Sequence, residues 1–307
     1  MAVTAAMIKE LREISGAGMI DCKNALTEAD GDMSKAVEIL REKGMAAAVK
    51  KAGRIASEGL VHAYVADGGL SAVLVEVNSE TDFVAKNQEF KSYVEAVAKQ
   101  AINSNAQNMD EFFAETWAGD NTLTVKEALS QKIAVIGENL NIRRFEKYEA
   151  EQDSLFVTYI HGGGRVAVLL EFGCADKSDA VIEAGKNVCM QIAAMSPKFV
   201  GRSDVSAEFI EHEREILTQQ AMNEGKPEAI AKKMVEGRLN KELKEFCLLE
   251  QEYVKDSEMN VKKYLEAAGK DAGTEITVKR FARYETGEGL EKKEENFAEE
   301  VSKAMGK

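Results

Sequence analysis

AYVADGGLSAVLVEVN (63–78) and TYIHGGGRVAVLLEFG (158–173) align without a gap, 95 residues apart. Seven of the sixteen positions are identical: Tyr64/Tyr159, Gly68/Gly163, Gly69/Gly164, Ala72/Ala167, Val73/Val168, Leu74/Leu169 and Glu76/Glu171. Each stretch reads as an apolar strand, a glycine turn and a second apolar strand, which is the pattern of a β-hairpin. A helical period follows each one. Phe90, Val94, Val97 and Ala101 share a face after the first hairpin, and Val181, Val188, Ile192 and Met195 after the second.

A second echo follows in the same order. NIRRFEKYE (141–149) and TVKRFARYE (277–285) share Arg144/Arg280, Phe145/Phe281, Tyr148/Tyr284 and Glu149/Glu285, now 136 residues apart. Two ordered matches indicate an internal duplication, and the 41-residue growth in offset places an insertion inside the second copy. The expected class is α+β, with a duplicated core of two small antiparallel sheets covered by helices. The core subdomains are expected at 54–150 and at 151–202 plus 251–288. The insertion, 203–250, reads as two charged helices, Ser206 to Glu224 and Glu228 to Phe246, turning at Gly225-Lys226-Pro227. Phe209, Ile216, Ile230, Met234 and Leu243 are its sparse apolar positions, so an antiparallel hairpin projecting from the body is expected, either as a working part or as a passive protrusion.

The flanks read as helical. Residues 1–53 are expected to form a three-helix bundle on a tether. Thr4 caps the first helix, Ser15-Gly16-Ala17-Gly18 ends it, and Gly31-Asp32 separates the second from the third. The third is expected to stop at Gly44, with Ala46 to Lys51 leading on to Gly53. At the other end, Leu290, Phe297, Val301 and Met305 suggest a C-terminal helical module over 289–307.

Charge narrows the partners. The chain has 307 residues, a net charge of −13 and a pI near 5.0, with basic and acidic residues interleaved. Nucleic-acid binders need a basic stripe to displace counterions from phosphates, and none is visible, so direct nucleic-acid binding is not expected. No apolar run approaches the ~20 residues of a membrane span. Cys22, Cys174, Cys189 and Cys247 form no CxxC pair and suit a reducing compartment, and the N-terminal run MAVTAAMIKELRE carries acidic residues and lacks a signal-peptide core. The expected location is the cytoplasm.

Enzymatic constellations are missing. His62, His161 and His212 are the three histidines, and His212-Glu213 meets Ile216 where a zinc-binding HExxH needs its second histidine. His161-Gly162-Gly163-Gly164 has no GxSxG nucleophile elbow to serve, and Gly68-Gly69 stands at the same place in the other copy, so these glycines read as a hairpin turn. Gly16-Ala17-Gly18 follows a helix and lacks the third glycine of a dinucleotide loop. There is no GxxxxGK[ST] loop. The chain is not expected to be an enzyme or to carry a cofactor or metal of its own.

The two copies part company after the hairpin: SETDFVAKNQEF follows Asn78, whereas CADKSDAVIEAG follows Gly173 without an aromatic. An aspartate and a phenylalanine at a strand–helix junction in one copy only are not required by the repeated fold. Residue chemistry leaves two readings open. Thr81 and Asp82 can be an ordinary helix cap and first-turn anion, with Phe83 a core aromatic. Alternatively, the pair is a working tip.

TDFVAKN (81–87) resembles the signature of the elongation factor Ts family. So do KELREISGAGMIDCKNALTEADGD near the N-terminus, IGENLNIRR (136–144) and GKPEAIAKKMVEGRLNKE (225–242). These matches fall in order along nearly the whole chain. The resemblance implies a ubiquitin-associated-type N-terminal bundle and a coiled-coil protrusion. It also implies a guanine-nucleotide exchange factor that binds the GTPase elongation factor Tu, as a 1:1 or 2:2 complex, and speeds release of GDP. Thr81, Asp82, Phe83 and Val84 would then form the element that enters the partner near its magnesium ion, with Phe83 as wedge and Asp82 as charge. Leu11, Met19 and Ile20 match the N-terminal surface that the family lays on the GTPase, with Ile20 standing where a second methionine is common. His161 matches a turn histidine that faces the partner. The rival expectation is a non-catalytic scaffold or chaperone-like binder working through the hairpin and the bundle.

Overall fold

The computed structural model describes residues 3–151, 153–174, 176–225 and 228–292, with the backbone alone for 228–233. The elements run α1 (Ala5–Ser15), α2 (Met19–Glu28), α3 (Met33–Lys51), β1 (Glu58–Val65), β2 (Ser71–Ser79), α4 (Asp82–Lys86), α5 (Gln88–Asn103), α6 (Met109–Ala114), α7 (Val125–Ile136) and β3 (Asn141–Glu149). They continue with β4 (Ser154–His161), β5 (Val166–Gly173), α8 (Asp179–Met195), α9 (Ala207–Asn223), α10 (Glu228–Phe246), β6 (Glu252–Tyr253), β7 (Asp256–Asn260), α11 (Val261–Ala272) and β8 (Thr277–Glu285). The class is α+β.

The duplication is visible at the level of single residues. Each copy builds a three-stranded antiparallel sheet, in the orders β1-β2-β3 and β4-β5-β8. In the first, Glu76 pairs with Arg144 and the register then shifts, leaving Arg143 in a bulge. In the second, Glu171 pairs with Arg280 and the shift leaves Lys279 in the same place. The copies also share a helix beyond the echoes: α7 and α11 have 12 residues each, and both end on a left-handed glycine, Gly137 at φ 86° and Gly273 at φ 69°.

The two sheets pack face to face and carry helices on their outer faces. Strand alternation sends Val73, Val75 and Val77 of β2 toward α5 and α7, where they meet Phe90, Val94, Val97 and Ile133. Val168, Leu170 and Phe172 of β5 meet α8 and α11 in the same way. The alternate residues Ala72 and Leu74 face Ala167 and Leu169 across a third core, between the sheets. The central strands are therefore buried on both faces, and each large apolar side chain there contributes roughly 1.5–3 kcal/mol. Val181, Val188 and Ile192 of α8 are buried as expected, but Met195, its last residue, is half exposed.

Alternation also turns Glu76 and Glu171 inward, and both are fully buried. Each is neutralised in place. Glu76 accepts from Arg143, Arg144 and the Gly287 amide, and Glu171 accepts from Arg280 and from Ser154 Oγ. All four cysteines are buried and free.

Three expectations need correction. First, α3 runs through Gly44 to Lys51. Gly44 is buried, and a Cβ there would already touch Ala134 Cβ and the Ser130 carbonyl at 3.7 Å, so this glycine marks where α3 lies closely on α7. Packing offsets its helix cost of about 1 kcal/mol, and the bundle leans on the core instead of hanging from a tether. Second, α9 and α10 do form an antiparallel hairpin, but its seam is Leu217, Ala221, Val235, Leu239 and Leu243, with Ile216 exposed beside it. Arg214–Glu236 and Arg238–Glu224, each at 2.8 Å, bridge the arms at the surface. The side chain of Ile230 and residues Lys226 and Pro227 lie outside the described residues. Third, the chain after β8 is a turn through Leu290, because Gly287 and Gly289 adopt φ 71° and 73°. The rest of the expected C-terminal module, 293–307 with Phe297, Val301 and Met305, lies outside the described residues.

Candidate functional site

Phe83 is 81% exposed, the most exposed large apolar side chain among the described residues. That removes the core-aromatic reading. It sits in the first turn of α4, which the local sequence builds tightly. Thr81 is the N-cap and its Oγ1 accepts from the Val84 amide at 3.4 Å, while Asn87 both ends α4 and caps α5 through the Glu89 amide at 2.8 Å. Val84 packs against the sheet–helix core and Ala85 is buried. The turn therefore points Val84 and Ala85 inward and leaves Phe83 outside.

Asp82 beside it is half exposed and bonded to Lys86 one turn on, at 2.6 Å. The Lys86 ammonium holds the Asp82 carboxyl below the usual carboxylate range, and Arg165 adds to the effect. Asp82 is thus a fixed anion whose field is partly screened by its own helix.

Arg165 comes from the turn that follows His161. Gly162, Gly163 and Gly164 all lie in the left-handed region, at φ 59°, 68° and 103°. The positive φ values favour glycine at all three positions, and at Gly164 a Cβ would also stand 2.6 Å from Leu60 Cδ2, which would have to shift. His161 is exposed at the end of β4, with Nδ1 3.0 Å from Tyr159 Oη. Asp82 and Lys86 share a cleft of about 250 Å³ with Gly162, Gly163 and Arg165. The tip of the first copy and the hairpin turn of the second are thus brought together.

The N-terminal candidates divide. Met19 and Ile20, at the start of α2, are 58% and 75% exposed, and Ile14 of α1 is exposed as well. Leu11 is fully buried among Cys22, Ala25, Leu26 and Ala36. The expected surface role for Leu11 is corrected: its side chain fills the bundle that presents Met19 and Ile20.

The candidates above leave out the groups that hold the tip. The Glu138 carboxylate accepts from Thr81 Oγ1 at 2.6 Å and from the Glu80 and Thr81 amides at 3.1 Å. These contacts span 57 and 58 residues and have no local signal, although Glu138 lies within the IGENLNIRR stretch. A larger cavity of about 610 Å³ between α11 and β8 shares no residue with the tip and is lined mainly by Leu265, Gly269, Ile276 and Val278. Among the described residues, no group of three or more His, Cys, Asp or Glu side chains is placed to hold a metal ion. No helix there is long and apolar enough to cross a membrane.

Comparison with known proteins adds the family. The family described as Elongation factor TS matches residues 80–288, which include the tip, both hairpin halves of the second sheet and the inserted hairpin. The chain is 53% identical over 303 residues to Elongation factor Ts of Clostridium novyi (strain NT), covering 99% of each. It is 53% identical over 305 residues to Elongation factor Ts of Clostridium perfringens (strain SM101 / Type A), covering 99% of this chain and 100% of the relative. The protein of the same description from Clostridium tetani (strain Massachusetts / E88) is 52% identical over 303 residues. The likeness runs through the tip and the structure around it, and the chain belongs to the elongation factor Ts family.

Proposed function

We propose that this protein is a guanine-nucleotide exchange factor for elongation factor Tu, acting in the cytoplasm by loosening the partner's hold on GDP. The observation that carries the reading is the exposure of Phe83, at 81%, on a turn whose other residues are anchored. A lone exposed aromatic needs no explanation by itself; what points Phe83 toward a complex is that the turn carrying it is anchored, occurs in one copy of the repeat only and lies in the TDFVAKN stretch that resembles the family signature. GTPases hold GDP electrostatically, through Mg²⁺ and the amides at a helix N-terminus. An aromatic wedge shifts the elements that carry those groups, and an adjacent carboxylate disturbs the metal's charge balance. Asp82 and Phe83 supply both. Val84 and Thr81 aim them, and Met19, Ile20 and His161 extend the contact.

The coupling is thermodynamic. A factor that weakens GDP binding by some ratio is itself weakened by GDP in the same ratio, so nucleotide and factor displace one another. No chemistry is needed from this chain, only differential affinity for two states of the partner.

Release of labelled GDP from elongation factor Tu, with and without the protein, tests the reading. Faster release that saturates with protein concentration supports it. Binding with an unchanged off-rate would instead favour a scaffold working through the α9–α10 hairpin.

A further inference from the structure

We propose that Glu138 is a positioning residue for exchange, which rests on the tip being the exchange element. Its carboxylate sets the direction in which the Thr81–Phe83 turn leaves the core. Glu138 lies in the α7–β3 loop and is half buried. Of the three donors it binds, two are the amides of Glu80 and Thr81, and the third is the hydroxyl that also caps α4. Charge-assisted hydrogen bonds of this kind are short and directional, and three on one carboxylate leave the loop little freedom.

The contact is reciprocated. Glu80, whose amide donates to Glu138, accepts in turn from the amide of Asn139 at 2.6 Å and from Arg54 at 3.4 Å. Asn139 Nδ2 donates to the Arg54 carbonyl at 2.8 Å. The segment before β1, the turn before α4 and the loop before β3 are locked into one ring. Ser79 Oγ adds a bond to the Thr81 carbonyl at 3.0 Å.

The second copy serves as an internal control. At the offsets of 95 and 136 residues, Ser79 corresponds to Cys174 and Glu138 to Thr274. There Cys174 Sγ lies 3.7 Å from Thr274 Oγ1, a weak neutral contact between the same two loops. The copy without an exposed aromatic also lacks the carboxylate, so building the repeated fold does not require Glu138.

The test uses the full chain and elongation factor Tu loaded with labelled GDP. Glu138→Ala is expected to lower the maximal release rate by about tenfold or more, since misplacing a working group by about 1 Å can cost up to roughly 100-fold. The protein concentration at half-saturation should move less than twofold. Glu138→Gln, which keeps the shape but turns one acceptor into a donor, is expected to fall between. Combined with Phe83→Ala, the Glu138 change should add no further loss, because a wedge that is absent cannot be mis-aimed. Amide hydrogen exchange at Glu80 and Thr81 in the free protein should speed up in Glu138→Ala. Wild-type release by Glu138→Ala, a full further loss on top of Phe83→Ala, or unchanged amide exchange would each overturn the proposal. Wild-type release by Phe83→Ala alone would instead overturn the reading of the tip on which it rests.

Discussion

The guanidinium of Arg144 lies 4.0 Å over the ring of Tyr284. The duplication returns the favour: Arg280 lies 4.0 Å over the ring of Tyr148. Each arginine also bonds the buried glutamate of its own sheet, Arg144 to Glu76 at 2.7 Å and Arg280 to Glu171 at 2.6 Å. A carboxylate, an arginine and an aromatic from the opposite copy thus close the sheet–sheet interface from both sides. Cation–π contact of this kind stabilises by roughly 0.5–2 kcal/mol depending on desolvation.

Removing one member should therefore be costly. Glu76→Ala strands Arg143, Arg144 and the Gly287 amide beside a buried gap. A loss of about 3 kcal/mol is expected, at the lower end for broken buried pairs because both arginines keep some contact with water. Urea unfolding measures it. A loss below about 1 kcal/mol would mean that the arginines find solvent once the carboxylate is gone.

Fold and function should separate cleanly at Phe83. Phe83→Ala is expected to shift the unfolding free energy by less than about 0.5 kcal/mol, as at other exposed sites, while exchange of GDP collapses. Val73→Ala or Val168→Ala, in strands buried on both faces, should cost about 2 kcal/mol each and leave exchange by the folded fraction intact. Melting curves and release rates on the same preparations decide the matter.

The sheets were legible because the chain states them twice: hairpin, helix and late strand recur in order, and an accidental pattern seldom does. The Arg144–Tyr284 crossing was not. Both residues stand in the quoted echoes, but nothing local says that each arginine reaches the other copy's tyrosine. Glu138 gives no local signal for the same reason, since its partners lie 57 and 58 residues away. Gly44 differs in kind. A glycine near a helix's apparent end signals a cap, and only the neighbouring α7 shows it to be a packing site. For Leu11 the family resemblance points to a contact surface, whereas packing against Cys22, Ala25 and Leu26 buries it.

Leu11 and Ile20 should now behave as opposites. Leu11→Ala is expected to cost the bundle about 2–5 kcal/mol and to weaken partner binding only through loss of the folded bundle. Ile20→Ser, at an exposed position, should leave the melt unchanged and raise the half-saturation concentration for exchange several-fold without lowering the maximal rate. Calorimetric binding together with release kinetics distinguishes the two.

Stability should fall on mild acidification, through His62. Burial on β1 holds its imidazole below the ordinary value of 6.5, against the opposing pull of Glu95, with Lys99 acting in the same direction as burial. The unfolded chain therefore takes up the proton first. The stability tied to neutral His62 is complete above about pH 6.5 and is lost as pH falls through the lower folded value. The urea midpoint should drop between pH 7 and pH 5.5 in the parent and drop less in His62→Gln.

Lys86 offers a graded test of the charge on the tip. In the free protein it bonds Asp82 at 2.6 Å and depresses that carboxyl, so the carboxylate is ionised at neutral pH but screened. Lys86→Ala removes the screen without touching Asp82 or Phe83. The pair is exposed to solvent, so the scale of the effect is small, on the order of twofold in rate. If Asp82 works through its charge, release of GDP should accelerate by that factor at low salt. The gain should shrink as salt shortens the Debye length toward the ~3 Å reached near 1 M. In an Asp82→Asn background the same Lys86→Ala change should do nothing. A gain that persisted in that background would assign the effect to Lys86 itself, and Asp82 would then serve only to start the helix that carries Phe83.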